Sequence, residues 1–128
     1  MEKETTSGRE EDFRIVLCGA NAYEQKYYFN EQFQALPENI KEELHVICVL
    51  FTEEIGGVFT IGFTPRGEVR MDTQAEEGDL LYDDIGSGLM IKKIRQTKRE
   101  MFEALEVYYR VKFLHEDAAA LLNEDADL

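Results

Sequence analysis

The chain has 128 residues, a formal net charge of −13 and 44% hydrophobic residues, with eight Phe, six Tyr and no Trp. This length suits one domain and is too short for two, and the hydrophobic content is enough for one core and argues against a disordered chain. No apolar run approaches the roughly 20 residues of a membrane-spanning helix. Residues 1–8 also lack the apolar stretch of a signal peptide, so we expect a cytoplasmic protein.

Most of the negative charge lies at the two ends of the chain. Residues 1–12 hold five acidic and two basic residues, and residues 115–128 hold five acidic and no basic ones. We therefore predict an acidic disordered tail over 1–12, a single domain over 13–114, and a mostly disordered acidic tail over 115–128. Acidity of this kind discourages binding to nucleic acid or to anionic lipid, so neither is expected as a partner.

Two short strands are predicted at the start of the domain. A β-prone run over residues 15–17 predicts a strand at Phe13–Cys18, ended by Gly19. Gln25–Phe29 is the next candidate strand, and the small and amide residues between the two tolerate turn conformations. The segment is therefore interpreted as a β-hairpin with an irregular loop.

A helix is predicted after Pro37, which suits the first turn of a helix because that turn needs no backbone N–H. Apolar residues then recur with helical spacing at Ile40, Leu44, Ile47 and Phe51, and Gly56-Gly57 provides a stop. The second half, Val46–Phe51, is apolar on every face. It fits either a strand beginning after His45 or a helix end covered from several directions, and the continuous period favours the covered helix.

A second hairpin is predicted from Val58–Phe63 and Glu68–Thr73. The turn between them, Thr64-Pro65-Arg66-Gly67, has Pro and Gly at positions that these residues favour in tight turns. Within Val58–Phe63 the larger residues alternate with smaller ones, which places the larger ones on one face for a core.

One long C-terminal helix is predicted after this hairpin. Asp79 is a suitable N-cap, and acidic residues near the start with basic residues further on agree with the helix dipole. An apolar stripe with helical period runs from Ile91 to Phe113. Gly86-Ser87-Gly88 interrupts the helix early, and propensity alone leaves open whether the chain bends there or starts the helix afresh at Ser87.

The order of elements, ββαββα, predicts an α+β fold in which about four antiparallel strands carry two helices on one face. The long helix and the unusually apolar first helix also predict a homodimer through the C-terminal helix, because one small domain offers few partners to cover both. The stripe that motivates this dimer consists of Met101, Phe102, Leu105, Tyr108, Tyr109 and Phe113.

Several phrases of the sequence carry a family resemblance. They are Val16-Leu17-Cys18-Gly19-Ala20-Asn21-Ala22-Tyr23-Glu24-Gln25-Lys26-Tyr27-Tyr28, Leu36-Pro37, Cys48-Val49-Leu50, Thr52-Glu53, Gly56-Gly57 and Asp84-Ile85-Gly86. In these the chain resembles a family of short uncharacterised proteins of clostridial-type bacteria, a domain of unknown function, over about residues 13–114. The resemblance implies a bacterial cytoplasmic protein, with no activity, cofactor or catalytic residue to transfer.

Two thiols are the first candidates for chemistry. Cys48 lies in an apolar run and is interpreted as a small core residue. Cys18 precedes Gly19 at a predicted strand end, where an exposed thiol could act as a nucleophile with His45 as its base. A core cysteine is the favoured interpretation of Cys18 as well, because nothing in the sequence brings His45 to it.

Metal, phosphate and nucleic-acid sites are weakly indicated. The acidic cluster over residues 76–84 lacks the ligand spacing of a calcium loop and is interpreted as a solvated helix start. The cysteines and histidines miss zinc spacing, although His45 and Cys48 are one turn apart. Gly86-Ser87-Gly88 is too short for a phosphate loop, and Lys92–Arg99 fits a solvated helix face. We therefore expect no metal and no cofactor.

The segment after the first strand is the best candidate for recognition. Its tyrosines have amide and charged neighbours, a combination common in interaction surfaces, where a ring supplies area and a hydroxyl supplies direction. The same residues are also common on ordinary strands. The candidate binding residues are Asn21, Tyr23, Glu24, Lys26 and Tyr27.

Two classes of function follow from these candidates. The first is a non-enzymatic binding or adaptor protein that meets a protein partner, or a second copy, through the aromatic segment or the long helix. The second is a small-ligand-binding or thiol-based enzyme that uses Cys18. The first is favoured because it needs no paired catalytic groups, and the sequence offers none with recognisable spacing.

Overall fold

The described residues form four strands and three α-helices. A computed structural model describes residues 12–115, which include the predicted domain, whereas the predicted tails lie outside the described residues except at Asp12 and His115. In chain order the elements are β1 (Ile15–Asn21), β2 (Lys26–Phe29), a 3-10 turn (Glu31–Phe33), α1 (Glu38–Ile55), β3 (Val58–Phe63), β4 (Val69–Gln74), α2 (Asp84–Thr97) and α3 (Arg99–Phe113).

The strands form one antiparallel sheet in the order β2-β1-β3-β4. The α+β class, the four antiparallel strands and both predicted hairpins are therefore confirmed. β1 continues past Gly19, where the sequence predicted its end. A Cβ at Gly19 would lie 2.7 Å from the carbonyl oxygen of Phe59, so the glycine lets β1 run close to β3 instead of stopping the strand.

α1 is helical throughout, which confirms the covered helix over the alternative strand. Leu44, Cys48 and Phe51 are fully buried and pack towards the sheet. The helix ends at Gly56 and Gly57, which have φ of 91° and 74°. A Cβ at Gly57 would lie 2.3 Å from the carbonyl oxygen of Gln74, so both the backbone conformation and the space require glycine there.

The C-terminal helix departs from the prediction, because it is two helices. The break lies at Lys98, with φ −109° and ψ 20°, and α2 runs unbroken through Gly86-Ser87-Gly88. Its N-cap is Asp83 and not Asp79, since Asp83 Oδ1 accepts a hydrogen bond of 2.8 Å from the Gly86 N–H. The observed order is thus ββαββαα, with three helices where two were predicted.

The predicted dimer stripe is largely covered by the protein itself. Phe102, Leu105 and Tyr109 of α3 are buried, and the other three stripe residues are partly buried against the same core. Tyr109 stacks on Phe63 of β3 with ring centroids 4.3 Å apart and an interplanar angle of 3°. α1 and α3 pack on the sheet, while α2 packs against these two helices. No helix within residues 12–115 is long and apolar enough to cross a membrane.

The aromatic cluster around Phe63 should dominate the stability of this core. Phe63 is fully buried between Tyr109 and Phe33, so Phe63→Ala should lower the free energy of unfolding by about 3–5 kcal/mol, as removal of a buried aromatic ring usually does. Urea denaturation measures the change. The matched control is Tyr28→Ala, because the Tyr28 side chain is 55% exposed, and an equal loss in both variants would contradict this description of the core.

Candidate functional site

β2 lies at one edge of the sheet, and its outer side is open. Asn30 N–H donates to the Leu17 carbonyl oxygen at 2.9 Å, which identifies the hydrogen-bonded pairs of the β1–β2 ladder and includes Tyr28 among them. The backbone N–H and C=O of Tyr27 and Phe29 consequently point away from β1. No strand within residues 12–115 pairs with this edge.

A groove runs between this edge and α1, and we call it the β2–α1 groove. Its larger part is a cleft of about 580 Å³ lined by Ala20, Asn21, Ala22, Gln25, Lys26, Tyr27, His45, Val49, Thr52 and Glu53. A hollow of about 290 Å³ continues it, lined by Tyr27, Phe29, Gln34, Glu38, Lys41, Glu42 and His45. Tyr27 and His45 line both parts, so the two hollows form one groove along β2.

Tyr27 and His45 form the middle of the groove floor. Their ring centroids are 4.2 Å apart, with an interplanar angle of 31°. The Tyr27 hydroxyl is buried and has no hydrogen-bond partner within the described residues. Burial raises the pKa of Tyr27 well above its ordinary value, and the neighbouring Cys18 and Cys48 thiols raise it further. The raised pKa keeps the Tyr27 phenol neutral at ordinary pH.

The two thiols lie in the core beneath this floor. Cys18 Sγ of β1 and Cys48 Sγ of α1 are 3.7 Å apart, and both side chains are fully buried. The contact with Cys18, followed by burial, raises the pKa of Cys48 far above that of an ordinary thiol. Cys48 is therefore the core residue that the sequence predicted. Cys18 is buried as well and does not line the groove, whereas His45 lies against Tyr27.

Asn21 and Tyr23 hold the turn between β1 and β2. Asn21 Oδ1 accepts hydrogen bonds from the backbone N–H groups of Tyr23 and Glu24 at 2.9 and 3.1 Å. The Tyr23 hydroxyl donates to Asp79 Oδ2 at 2.6 Å and accepts from the Glu76 N–H at 2.9 Å. The hydrogen bond with Asp79 raises the pKa of Tyr23 and lowers the pKa of Asp79. Tyr23 thus joins this turn to the loop after β4.

The five candidate binding residues therefore have different positions. Asn21, Lys26 and Tyr27 line the β2–α1 groove, whereas Tyr23 is engaged by the loop after β4 and Glu24 is exposed outside the lining. The α1 side of the groove, which includes Val49, Thr52 and Glu53, is absent from those candidates. The sequence did contain a signal for the α1 side of the groove. Val46–Phe51 is apolar on all faces, and the sheet covers only one of these faces.

Two acidic residues before α2, Asp79 and Asp83, accept hydrogen bonds through their carboxylates. Asp83 caps α2, and Asp79 accepts from the Leu81 N–H as well as from Tyr23. Among residues 12–115, no cluster of three or more His, Cys, Asp or Glu side chains could hold a metal ion. Asp83 therefore lies at a helix start, as the sequence indicated for this cluster, whereas Asp79 belongs to the loop after β4. The β2–α1 groove is left as the candidate site.

The chain belongs to a family of unknown function, DUF6145, whose model matches residues 14–117. This match confirms the resemblance to an uncharacterised domain family. No curated protein and no solved structure matches the chain. The family carries no assigned activity, so a functional proposal has to rest on the groove and on the exposed surfaces.

The two tyrosines should respond differently to loss of their hydroxyls. Tyr27→Phe removes a buried hydroxyl without a partner, so the free energy of unfolding should stay unchanged or rise by about 1 kcal/mol. Tyr23→Phe removes the hydrogen bonds to Asp79 and Glu76 and should lower the melting temperature. Thermal and urea unfolding of both variants make the comparison. A loss in Tyr27→Phe as large as that in Tyr23→Phe would show that the Tyr27 hydroxyl is satisfied in the fold.

Stability should fall at alkaline pH because of the buried Cys48 thiol. The raised pKa of Cys48 means that the folded state keeps a proton that the unfolded state releases above its ordinary thiol pKa. The contribution is complete below about pH 8 and declines above it, by at most about 1.4 kcal/mol per pH unit for one group. Urea unfolding between about pH 7 and pH 10 measures this decline. Cys48→Ala is the control, and its free energy of unfolding should decline less steeply with pH. Equal slopes in the two proteins would refute the attribution of this decline to Cys48.

Proposed function

We propose that the protein is a non-enzymatic binding protein that acts through protein–protein contacts, and that its binding site is the β2–α1 groove. The observation that carries this proposal is the open edge of β2. Tyr27 and Phe29 each offer a backbone donor and acceptor there, which could form about four main-chain hydrogen bonds with an added strand. The occupant is therefore an extended segment of a partner protein.

The α1 side of the groove suits alternating apolar side chains of such a segment. Val49 lines the groove, and Val46 and Leu50 on the adjoining surface of the helix are 54% and 45% exposed. β2 has only four residues, so contacts with α1 must supply much of the affinity and the choice of partner. The net charge of −13 favours a partner that is basic overall, because opposite charges speed association and exclude acidic competitors.

The alternative function, a thiol-based enzyme using Cys18, has less support. Its thiol is fully buried, and the polar groups in the groove do not include it. A reactive cysteine normally occupies a partly exposed electropositive site. Binding of a small ligand in the 580 Å³ cleft is supported by its volume, which lies in the range of known ligand pockets.

The proposal further places the protein in the cytoplasm of a clostridial-type bacterium. Two free cysteines in van der Waals contact suit a reducing compartment, and the sequence resemblance implies a bacterial origin. Self-association through the C-terminal helix, the other expected mode of contact, requires a surface other than the α3 stripe, because α3 packs on the sheet.

Hydrogen exchange on the full chain tests the groove. A phage-displayed library of random peptides is selected against the protein, and amide exchange is measured by NMR with the selected peptide bound. The amides of Tyr27 and Phe29 should be newly protected, because they face the open edge, while Tyr28, already bonded to β1, should change little.

Two matched variants complete this test. Val49→Arg, inside the groove, should weaken peptide binding at least about tenfold, equivalent to about 1.4 kcal/mol, while Leu89→Arg, on the exposed face of α2, should not. Thermal melts confirm that both variants fold. Failure to select any peptide, or protection confined to elements other than β2, would refute the proposal.

A further inference from the structure

Among residues 12–115, the most exposed large apolar side chains lie in the turn before α2 and in the first two turns of that helix. Leu80, Leu81, Ile85 and Leu89 are 95%, 93%, 80% and 66% exposed. Ile85 and Leu89 are four residues apart in α2, so they lie on one face of the helix, and Ser87 and Ile94 on the opposite face are buried. Leu80 and Leu81 lie in the turn before the N-cap Asp83. Single exposed apolar residues are ordinary, but a contiguous group of this kind marks an interaction surface. We call these four residues the α2 surface.

Gly88 lies beside this surface, and no contact within the described residues requires glycine at this position. A Cβ at Gly88 would meet no atom within 4 Å, whereas a Cβ at Gly86 would lie 2.3 Å from Oδ2 of Asp83, the residue whose Oδ1 caps the helix. Glycine in the interior of a helix destabilises it relative to alanine. Within the described residues nothing accounts for Gly88, and its missing side chain would allow another backbone to approach closely.

The charges around Gly88 have a twofold pattern. Asp84 lies four residues before it and Lys92 four residues after it, and all three are in α2. When two α2 helices pack antiparallel with a twofold axis at Gly88, each Asp84 meets Lys92 of the other copy about 6 Å along the helix from the axis. The pattern is therefore complementary to itself, which is what a symmetric dimer requires.

We propose that a second copy of this chain docks on the α2 surface, with the two α2 helices antiparallel and crossing at Gly88. Ile85 and Leu89 of the two copies then alternate along the crossing and bury each other, and the two Asp84–Lys92 pairs set the orientation. The surface shares no residue with the β2–α1 groove. The inference is thus independent of the proposed function.

Charge reversal with mixing tests this arrangement on the full chain. The unmodified protein should be a dimer by light scattering at high micromolar concentration. Asp84→Lys and Lys92→Glu should each weaken association at least tenfold, because each places like charges opposite one another twice. An equimolar mixture of the two variants should form a heterodimer, since both pairs are then of opposite charge.

Gly88→Leu distinguishes a role of Gly88 in the dimer from a role in the fold of the monomer. The substitution should raise the melting temperature of the dilute protein, because leucine is the better helix former, and should abolish the dimer, because its side chain fills the crossing point. Leu89→Asp carries the same expectation of a monomer if Asp84→Lys fails to fold. Leu50→Asp, at an exposed apolar residue of α1 outside the α2 surface, is the control and should leave the dimer intact.

A monomeric unmodified protein at that concentration would overturn the inference. It would also be overturned by a dimer that survives Leu89→Asp, or by a mixture of the charge variants that associates no better than either variant alone. Peptide binding in the β2–α1 groove should be unchanged in every one of these variants except Leu50→Asp, which lies on the adjoining surface of α1.

Discussion

The packing of α1 across the middle of the sheet is the contact on which the rest of the structure depends. Phe51 stacks on Phe59 of β3 with ring centroids 4.1 Å apart, and Cys48 meets Cys18 of β1 at 3.7 Å between sulfurs. All four side chains are fully buried. Because α1 is fixed over β1 and β3, the face of α1 that carries His45, Val49 and Glu53 lies beside the edge strand β2. The groove is a consequence of that geometry.

The same packing encloses both thiols in the core. Two small sulfur side chains let a helix approach a strand closely, and enclosure raises the pKa of the Cys48 thiol. The Tyr27 hydroxyl, from the edge strand, lies near these thiols, and the Tyr27 ring contacts His45. Its ring area is needed for the floor of the groove, and its hydroxyl is left without a hydrogen-bond partner among the described residues.

The sequence predicts those parts of the fold that local pattern determines. The period of four and three residues from Ile40 to Phe51 is enough to identify α1, and Pro65 with Gly67 is enough to identify the β3–β4 turn. The break at Lys98 has no such signal, because neither glycine nor proline is near it and both helices share one apolar period. Asp79 and Asp83 are equally good caps by residue type, and only their contacts in the fold distinguish them: Asp83 accepts from the Gly86 N–H, whereas Asp79 accepts from Tyr23.

The candidate site was predictable only on its β-strand side for a related reason. Asn21, Lys26 and Tyr27 are adjacent in sequence, so composition could single them out, but their relation to Val49 and Glu53 arises from the way α1 crosses the sheet. The separation of Tyr23 from Tyr27 likewise depends on a loop 56 residues away. Tyrosines that are equivalent by composition therefore act differently, because one is paired by a distant loop and the other is buried over the thiols.

The two glycines of Gly86-Ser87-Gly88 show how the structure divides a motif that the sequence treats as one. Gly86 is required by the cap, since the Asp83 carboxylate occupies the place of its side chain. Gly88, two residues on, has open space at that position, and on an isolated helix alanine would be more stable there. Gly88 lowers the stability of the monomer, and the proposed dimer explains it, because the α2 backbone of the second copy approaches at this position. The same contact between two α2 helices would bury the exposed side chains of Ile85 and Leu89.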